Sequence, residues 1–278
     1  MVVNRVYFIC PICNERLYKE SNSIKCKNSH SFDYSKSGYV NLLKTKGRAK
    51  IHGDGKVMIK SRKRFLDGGY YQSLQNMVSE FVVKYLPENG TVLDCGCGEG
   101  YYSAEISRRL CEKKSHFSYY GIDISKDAVN AGMKRCKHLD LAVASVFNIP
   151  VEEKSVDLLL TIFAPFCADE CRRVIKDNGY LIMVIPLENH LWGLKCAVYD
   201  NPYRNQVESL GIAGFELVEK AEIIDWITLE SNETVKDLFS MTPYYYKTSR
   251  SDFKKLDSIR HLETEIEFGI LVYKKDKC

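Results

Sequence analysis

Four residues near the N-terminus have the types and the spacing of a zinc site. They follow the pattern C-x2-C-x12-C-x3-H and are Cys10, Cys13, Cys26 and His30. Three thiolates and one imidazole complete a tetrahedron and leave no position for a catalytic water, so the pattern predicts a structural site. Few large apolar side chains surround these residues, and we therefore expect metal binding to supply folding free energy to this segment.

A glycine-rich turn follows an apolar stretch farther along the chain. Residues 92–102 contain Asp94 and then Gly96, Gly98 and Gly100, in a G-x-G-x-G pattern. Glycine allows positive φ and a close approach of the backbone to a ligand, and the helix expected next offers free N–H groups. The spacing differs from the G-x-G-x-x-G pattern of dinucleotide sites, and the Asp94 carboxylate would repel a phosphate. A ligand with a cationic amine fits this turn better.

A second carboxylate ends the strand that we expect after this helix. Asp123 follows residues 119–122 and is placed to accept hydrogen bonds from the two hydroxyls of a ribose, as in nucleotide-binding α/β folds. The turn and Asp123 together resemble the S-adenosylmethionine site of class I methyltransferases. An ordinary strand-to-helix turn with an unrelated Asp is the alternative, and the order and separation of the two features argue against it.

Strands and helices alternate along most of the chain. Hydrophobic periodicity predicts a helix over 65–85, and then helices over 100–112, 126–136, 167–176 and 190–199. Strands are predicted over 91–95, 119–124, 139–144, 157–163, 179–185, 215–224 and 265–274. The alternation predicts an α/β, Rossmann-like fold with a largely parallel sheet, helices on both faces and a ligand site at the carboxyl ends of the strands. Residues 225–264, which include Tyr244 and Tyr246, interrupt this order, and we expect them to form a substrate lid.

Two aromatic side chains flank Ala164-Pro165 at the end of the fourth core strand, where class I enzymes present the acceptor atom. Phe163 and Phe166 are able to stack on a planar base. Packing in the hydrophobic core is the alternative role for each of them. The segment lacks the Asp or Asn that begins the Asn-Pro-Pro-Tyr type of motif used on exocyclic amines. A ring nitrogen is therefore the better acceptor.

Basic residues are concentrated in the first part of the chain. Residues 1–64 hold 15 Lys and Arg against 4 Asp and Glu, whereas residues 65–278 hold 25 against 32. The segment 44–64 contains nine of these basic residues, with Asp54 as its only acid, and we expect it to be a flexible linker that binds a polyanion. The residues assigned to phosphate contacts are Lys44, Lys46, Arg48 and Lys50. A solvated tether is the alternative, but a tether does not need charges of one sign.

Length and composition favour two domains. With 278 residues, 45% of them hydrophobic, the chain has material for one large α/β core and a small module. We expect a zinc-binding module at 1–43, the basic linker at 44–64 and the main domain at 65–278. No apolar run has the length of a membrane span, no signal pattern begins the chain, and the 11 cysteines are an odd number. These features favour a cytoplasmic protein with reduced thiols. As for assembly, we consider a homodimer.

An ordered set of motifs resembles the RlmA/RrmA family of 23S ribosomal RNA guanine-N1 methyltransferases. The set consists of the zinc ligands, residues 30–33 and 38–43, residues 64–71, the glycine-rich turn, Ala164-Pro165 and residues 241–243. The resemblance implies that the zinc module recognises 23S rRNA and that Tyr71, Gly98, Glu99 and His190 line the S-adenosylmethionine pocket. It also implies methylation of guanine N1 in a hairpin loop of large-subunit domain II.

The implied reaction requires a proton acceptor, because guanine N1 carries a proton at neutral pH. Asp169 and Glu170 are the nearest carboxylates to the expected acceptor edge in sequence, and we assign them as candidate general bases. Their alternative role is that of first-turn acids in the following helix. Two other functions remain open: methylation of tRNA or a small metabolite, and a non-catalytic zinc-ribbon protein that binds RNA.

The basic segment gives a first testable prediction. Replacing Lys44, Lys46, Arg48 and Lys50 by Gln should weaken RNA binding and flatten its salt dependence by about 0.7 logarithmic units per lost phosphate contact, because fewer counterions are released. Single-turnover methylation at saturating RNA should stay near the wild-type rate. RNA binding measured across a salt series checks this, and an unchanged slope would make the segment a tether only.

Overall fold

A computed structural model describes residues 5–44, 53–114, 116–207 and 210–277 of the chain. Lys46, Arg48 and Lys50 lie outside the described residues, whereas Lys44 is described and exposed. Within the described ranges, no helix has both the length and the apolar character needed to cross a membrane.

The N-terminal module is a small antiparallel sheet with metal-ligand loops. Its four strands, in spatial order, are β1 (Arg5–Ile9), β2 (Arg16–Glu20), β3 (Ser23–Lys25) and β4 (Ser31–Asp33). One ligand pair lies in the loop between β1 and β2, and the other pair lies between β3 and β4. Two short hairpins therefore bring both pairs to the same end of this sheet.

The main domain contains an eight-stranded mixed sheet. Its strands are β5 (Val40–Asn41), β6 (Thr91–Cys95), β7 (Ser118–Asp123), β8 (Asp140–Val143), β9 (Val156–Ile162), β10 (Ile175–Pro186), β11 (Phe215–Leu229) and β12 (Leu262–Lys275). The spatial order is β11-β12-β10-β9-β6-β7-β8-β5, and every pairing from β10 to β5 is parallel. Only β12 pairs antiparallel, with β10 on one side and β11 on the other. The predicted α/β fold with a largely parallel sheet is confirmed.

The helices pack mainly on one face of this sheet. They are α1 (Lys56–Asp67), α2 (Gln72–Tyr85), α3 (Tyr101–Lys113), α4 (Lys126–Arg135), α5 (Ala168–Val174), α6 (Trp192–Val198), α7 (Asn232–Ser240), α8 (Tyr244–Lys247) and α9 (Arg250–Lys255), with a 3-10 turn at Leu256–Ser258. The exception is α5, which lies with the zinc module on the other face. The helix expected over 65–85 is in fact two helices, because the chain turns at Gly68-Gly69 and Gly69 has a φ of +82°. The insertion after β11 consists of α7, α8, α9 and the 3-10 turn.

The segment expected to be a flexible linker is helical in its second half. Residues 56–64 form the first nine residues of α1, so the expectation of flexibility is wrong for this part. A buried stripe of Met58, Ile59, Phe65 and Leu66 packs the helix onto the domain. The guanidinium of Arg64 is paired with the buried carboxylate of Asp237 on α7, with a distance of 2.7 Å from Nε to Oδ2. Basic residues of α1 thus hold the insertion in place.

The zinc module shares a hydrophobic core with the main sheet. Alternate residues of β9 point to opposite faces, so Leu158 belongs to one core cluster and Leu159 to the other. The cluster around Leu159 continues into Phe8 and Leu17 of the module. The segment 1–43 also contributes a strand to the main sheet, because β5 pairs with β8.

Specific contacts fix the module on this face. The ring of Tyr7 stacks on Tyr120 of β7 with a centroid distance of 3.9 Å, and the N–H of Ile9 donates to the carbonyl of Pro150 at 2.8 Å. The guanidinium of Arg16 pairs with Glu152 at 2.7 Å. The module is therefore packed against the domain rather than tethered to it.

Candidate active site and metal centre

The four predicted zinc ligands come together. One ligand atom from each of Cys10, Cys13, Cys26 and His30 lies within 4.8 Å of every other. The Sγ atoms of Cys13 and Cys26 are 3.7 Å apart, and His30 Nδ1 is 3.4 Å from Cys26 Sγ. Zinc–sulfur bonds of 2.3 Å in a tetrahedron put the sulfur atoms about 3.8 Å apart, so these positions fit a zinc ion.

The glycine-rich turn connects the end of β6 to α3. Gly96, Gly98 and Gly100 have φ values of +88°, +56° and +82°, which only glycine adopts without strain. Their surroundings differ. A Cβ on Gly96 would lie 2.3 Å from Cβ of Ala164, and a Cβ on Gly100 would lie 3.0 Å from Sγ of Cys136. A Cβ on Gly98 would have only Arg62 Nη1 within 4 Å, at 4.0 Å, so Gly98 faces the open side of the turn.

Asp123 lies at the end of β7, next to this turn. Its Oδ2 accepts a hydrogen bond from the Gly98 N–H at 3.0 Å, and its Oδ1 accepts one from the Ser125 N–H at 2.8 Å. Burial holds the pKa of Asp123 above its ordinary value, although both N–H groups act in the opposite direction. The carboxylate therefore joins the two loops that would hold a ribose and the rest of the cofactor.

Asp94 is placed differently from the expectation of a ligand contact. It is buried, and its Oδ2 accepts hydrogen bonds from the hydroxyls of Ser103 at 2.6 Å and Tyr119 at 3.0 Å. Burial raises its pKa to about 6. These contacts connect β6, β7 and α3 behind the turn, and its assignment to the cofactor remains a prediction.

His190 and Tyr71 meet at the other side of the site. Nδ1 of His190 accepts a hydrogen bond from the Glu267 N–H at 3.2 Å, so the proton of the neutral ring is on Nε2. Nε2 lies 3.5 Å from the hydroxyl oxygen of Tyr71, and burial lowers the pKa of His190 to about 3. His190 is thus a neutral hydrogen-bond donor at physiological pH and not a base.

Unsatisfied polar atoms draw attention to Glu99, which the resemblance implied, and to two residues that the sequence did not single out, Tyr102 and Thr161. Glu99 Oε1 and the hydroxyl of Tyr102 are buried without a hydrogen-bond partner among the described residues, and so is Thr161 Oγ1 on β9. The other oxygen of Glu99 pairs with Arg135 at 2.7 Å. Buried polar groups rarely stay unpaired, so these atoms fit a bound polar ligand. Glu99 follows Gly98, and Tyr102 is in the first turn of α3.

The end of β9 is the place where the sequence predicts the acceptor edge. Phe163 has a φ of +53°, which is unusual for an aromatic residue, and its side chain is 45% exposed. Its ring lies 5.5 Å from that of Phe268. Phe166 is half-buried and packs against the core cluster of Leu159. The structure therefore leaves Phe163 accessible to a ligand and gives Phe166 a packing role as well.

The two candidate bases have other partners. Asp169 is paired with Arg172 at the surface, and Glu170 accepts hydrogen bonds from Arg173 at 2.8 Å and from the Ile149 N–H. Although burial acts to raise it, the bonds to Arg173 and Ile149 hold the pKa of Glu170 below its ordinary value. A lowered pKa makes a carboxylate a weaker base. The general-base assignment stays a prediction that these contacts do not favour.

These features define the protein as a class I S-adenosylmethionine-dependent methyltransferase with an N-terminal zinc ribbon. Residues 86–223 match a family model described as a methyltransferase domain. Residues 8–47 match the model of the RlmA N-terminal zinc ribbon.

Curated relatives match much of the chain. The chain is 27% identical over 276 residues to a Bacillus subtilis protein named "Putative 23S rRNA (guanine-N(1)-)-methyltransferase YxjB", with 95% of this chain and 96% of that protein covered. It is 30% identical over 188 residues to the 23S rRNA (guanine(748)-N(1))-methyltransferase of Streptomyces fradiae, with 66% of this chain and 65% of that protein covered. The zinc-ribbon match and these relatives confirm the resemblance to the RlmA/RrmA family that the motifs predicted.

The metal centre gives a prediction about zinc content. The purified protein should hold about one zinc ion per chain, because three thiolates and an imidazole form a closed site. Cys13→Ser should lose the metal and RNA methylation while S-adenosylmethionine binding is largely retained, whereas Cys111→Ser, at an exposed cysteine of α3, should keep all three. Elemental analysis and calorimetry check this, and freshly purified protein without zinc would contradict the metal assignment.

The turn gives a prediction about cofactor affinity. Asp123→Ala should weaken S-adenosylmethionine binding by about 1.5–3 kcal/mol, the range for a hydrogen bond to a charged group. Gly98→Val should weaken it more, because a branched side chain would fill the open side of the turn at a positive φ. Glu112→Ala, at an exposed position of α3, is the control. Calorimetry that gives wild-type affinity for both site variants would remove the cofactor assignment.

Proposed function

We propose that this protein transfers a methyl group from S-adenosylmethionine to N1 of a guanine in a hairpin loop of 23S rRNA, in large-subunit domain II. The observation that carries the proposal is the joining of an RlmA-type zinc ribbon and a methyltransferase domain through one hydrophobic core. Such packing fixes an RNA-recognition module relative to a catalytic site. The activity named for the Bacillus and Streptomyces relatives supports this substrate.

The acceptor edge supports a planar base as the substrate. Ala164 packs directly against Gly96, so the end of β9 and the cofactor turn are in contact. Phe163 projects beside them with nearly half of its side chain exposed. A guanine stacked on Phe163 would lie next to the cofactor, and aromatic stacking of an unpaired base is typical of RNA recognition. Because a base must leave its stack to reach this edge, a hairpin loop is the favoured target.

The chemistry depends mainly on alignment. S-adenosylmethionine supplies a methyl group on a cationic sulfur. Asp123 and Gly98 would hold the ribose side, while Tyr71 and the Nε2–H of His190 would bind a polar end of the cofactor. Near-ideal positioning of two reactants lowers a barrier by roughly 7–11 kcal/mol. The proton on guanine N1 must pass to an acceptor. Glu170→Gln tests whether Glu170 is that acceptor.

RNA affinity would come from the module and from the basic segment that follows it. We propose boundaries at 1–43, 44–64 and 65–278 as functional divisions, with Lys44 and its neighbours at 46, 48 and 50 on the RNA backbone. Ribosomal RNA places the reaction in the cytoplasm. A homodimer is part of this proposal, and light scattering of the purified protein tests it.

Primer extension is the decisive experiment for the substrate. The enzyme should transfer labelled methyl groups to a domain II hairpin transcript, and reverse transcriptase should stop at one loop guanine, because N1 methylation blocks Watson–Crick pairing. A transcript with adenine in place of the loop guanines is the matched control and should accept no label. Transfer to tRNA or to a small metabolite, with none to the hairpin, would contradict the proposed substrate.

A further inference from the structure

Arg62 points from α1 toward the cofactor turn. Its Nη2 donates to the carbonyl of Met241 in the insertion at 3.2 Å, and its Nη1 pairs with the carboxylate of Asp54. The same Nη1 lies 4.0 Å from the place where a Cβ on Gly98 would be. Among the described residues, apart from Gly98 itself and its two chain neighbours, no other atom comes within 4 Å of that position. Arg62 therefore stands opposite the open side of the turn.

Asp54 is hydrogen-bonded to the loop that carries Asp123. Its carbonyl accepts a hydrogen bond from the Ser125 hydroxyl at 2.9 Å, and the Ser125 N–H in turn donates to Asp123. The preceding Gly53 packs so closely that a Cβ there would be 2.8 Å from Cβ of Ser125. The partner of Arg62 thus belongs to the wall on the ribose side.

The Arg62–Asp54 pair differs from an RNA-binding charge. The two side chains are only 25% and 31% exposed, and each is bonded inside the protein. An arginine that binds a phosphate backbone needs its charge unpaired and accessible, and Lys60 on the same helix is exposed in this way. Asp54, the only acid in a strongly basic segment, accounts for this difference because it neutralises the arginine that faces the site.

We propose that Arg62 is a positioning residue for S-adenosylmethionine. Paired with Asp54, it forms the pocket wall opposite Gly98 and joins that wall to the insertion through Met241. The cofactor is cationic at sulfur, so an unpaired guanidinium beside the pocket would oppose its binding, and the pairing with Asp54 removes that repulsion. The inference depends on the methyltransferase class of the protein and not on the identity of the RNA.

Calorimetry with two ligands tests this role. S-adenosylmethionine is cationic at sulfur and S-adenosylhomocysteine is not, so their affinity ratio reports the charge beside the pocket. Arg62→Met should weaken S-adenosylhomocysteine binding by about tenfold or more, because the wall and its two polar contacts are lost. Asp54→Asn should weaken S-adenosylmethionine more than S-adenosylhomocysteine, and Arg62→Met should shift the ratio in the opposite direction. The double variant should return the ratio to the wild-type value.

Two further variants make the result decisive. Lys60→Gln removes one positive charge from the same helix and should leave both affinities within about twofold of wild type. Arg62→Lys keeps the charge but not the forked geometry of the guanidinium. Its affinity for S-adenosylhomocysteine should lie between those of wild type and Arg62→Met. Thermal unfolding without ligand identifies variants that do not fold, and Arg62→Lys and Asp54→Asn carry the test if Arg62→Met is among them. Arg62 has only a structural role if the folded variants at 54 and 62 have the same two affinities as Lys60→Gln. The same conclusion follows if each variant loses equal affinity for S-adenosylmethionine and for S-adenosylhomocysteine.

Discussion

The turn at residues 96–100 depends on three glycines with positive φ, and the rest of the site is arranged around the path that they impose. Two of them serve contacts inside the protein. Gly96 admits Ala164 from the acceptor edge, and Gly100 admits Cys136 behind α3. Gly98 alone faces open space, and its N–H donates to Asp123. One short turn thus brings Ala164 at the end of β9, the Asp123 carboxylate and the open space beside Gly98 together.

The shared core gives the zinc ribbon a second function besides its own folding. Coordination by four residues stabilises a module that is too small to fold on apolar burial alone. Phe8 and Leu17 then extend the main core, and Tyr7 stacks on Tyr120 of the sheet. Loss of the metal would therefore disturb packing on this face of the sheet, although the loops proposed to bind the cofactor lie at the ends of the strands. Such coupling suits an enzyme that must hold its RNA module in a fixed position.

Charge in the basic segment is divided between two uses. Lys44 and Lys60 are exposed, whereas Arg62 and Arg64 are paired with the carboxylates of Asp54 and Asp237, although the side chain of Arg64 is itself half exposed. Residues of one helix have these different roles because only some of them have a carboxylate within reach. Net charge counts the two kinds equally, so it overstates the charge that is available to RNA.

The sequence by itself determined the features that depend on local chemistry. Ligand spacing predicted the cluster of three Cys and one His, glycine spacing predicted the turn between β6 and α3, and periodicity predicted the parallel strands, because each of these is encoded in local sequence patterns. Only the tertiary structure decided which groups are paired. Glu170 accepts a hydrogen bond from the Ile149 N–H, 21 positions away, and Arg62 donates to the Met241 carbonyl across 179 positions of the chain. Contacts between such distant residues depend on how the helices and strands pack, and local patterns do not record that.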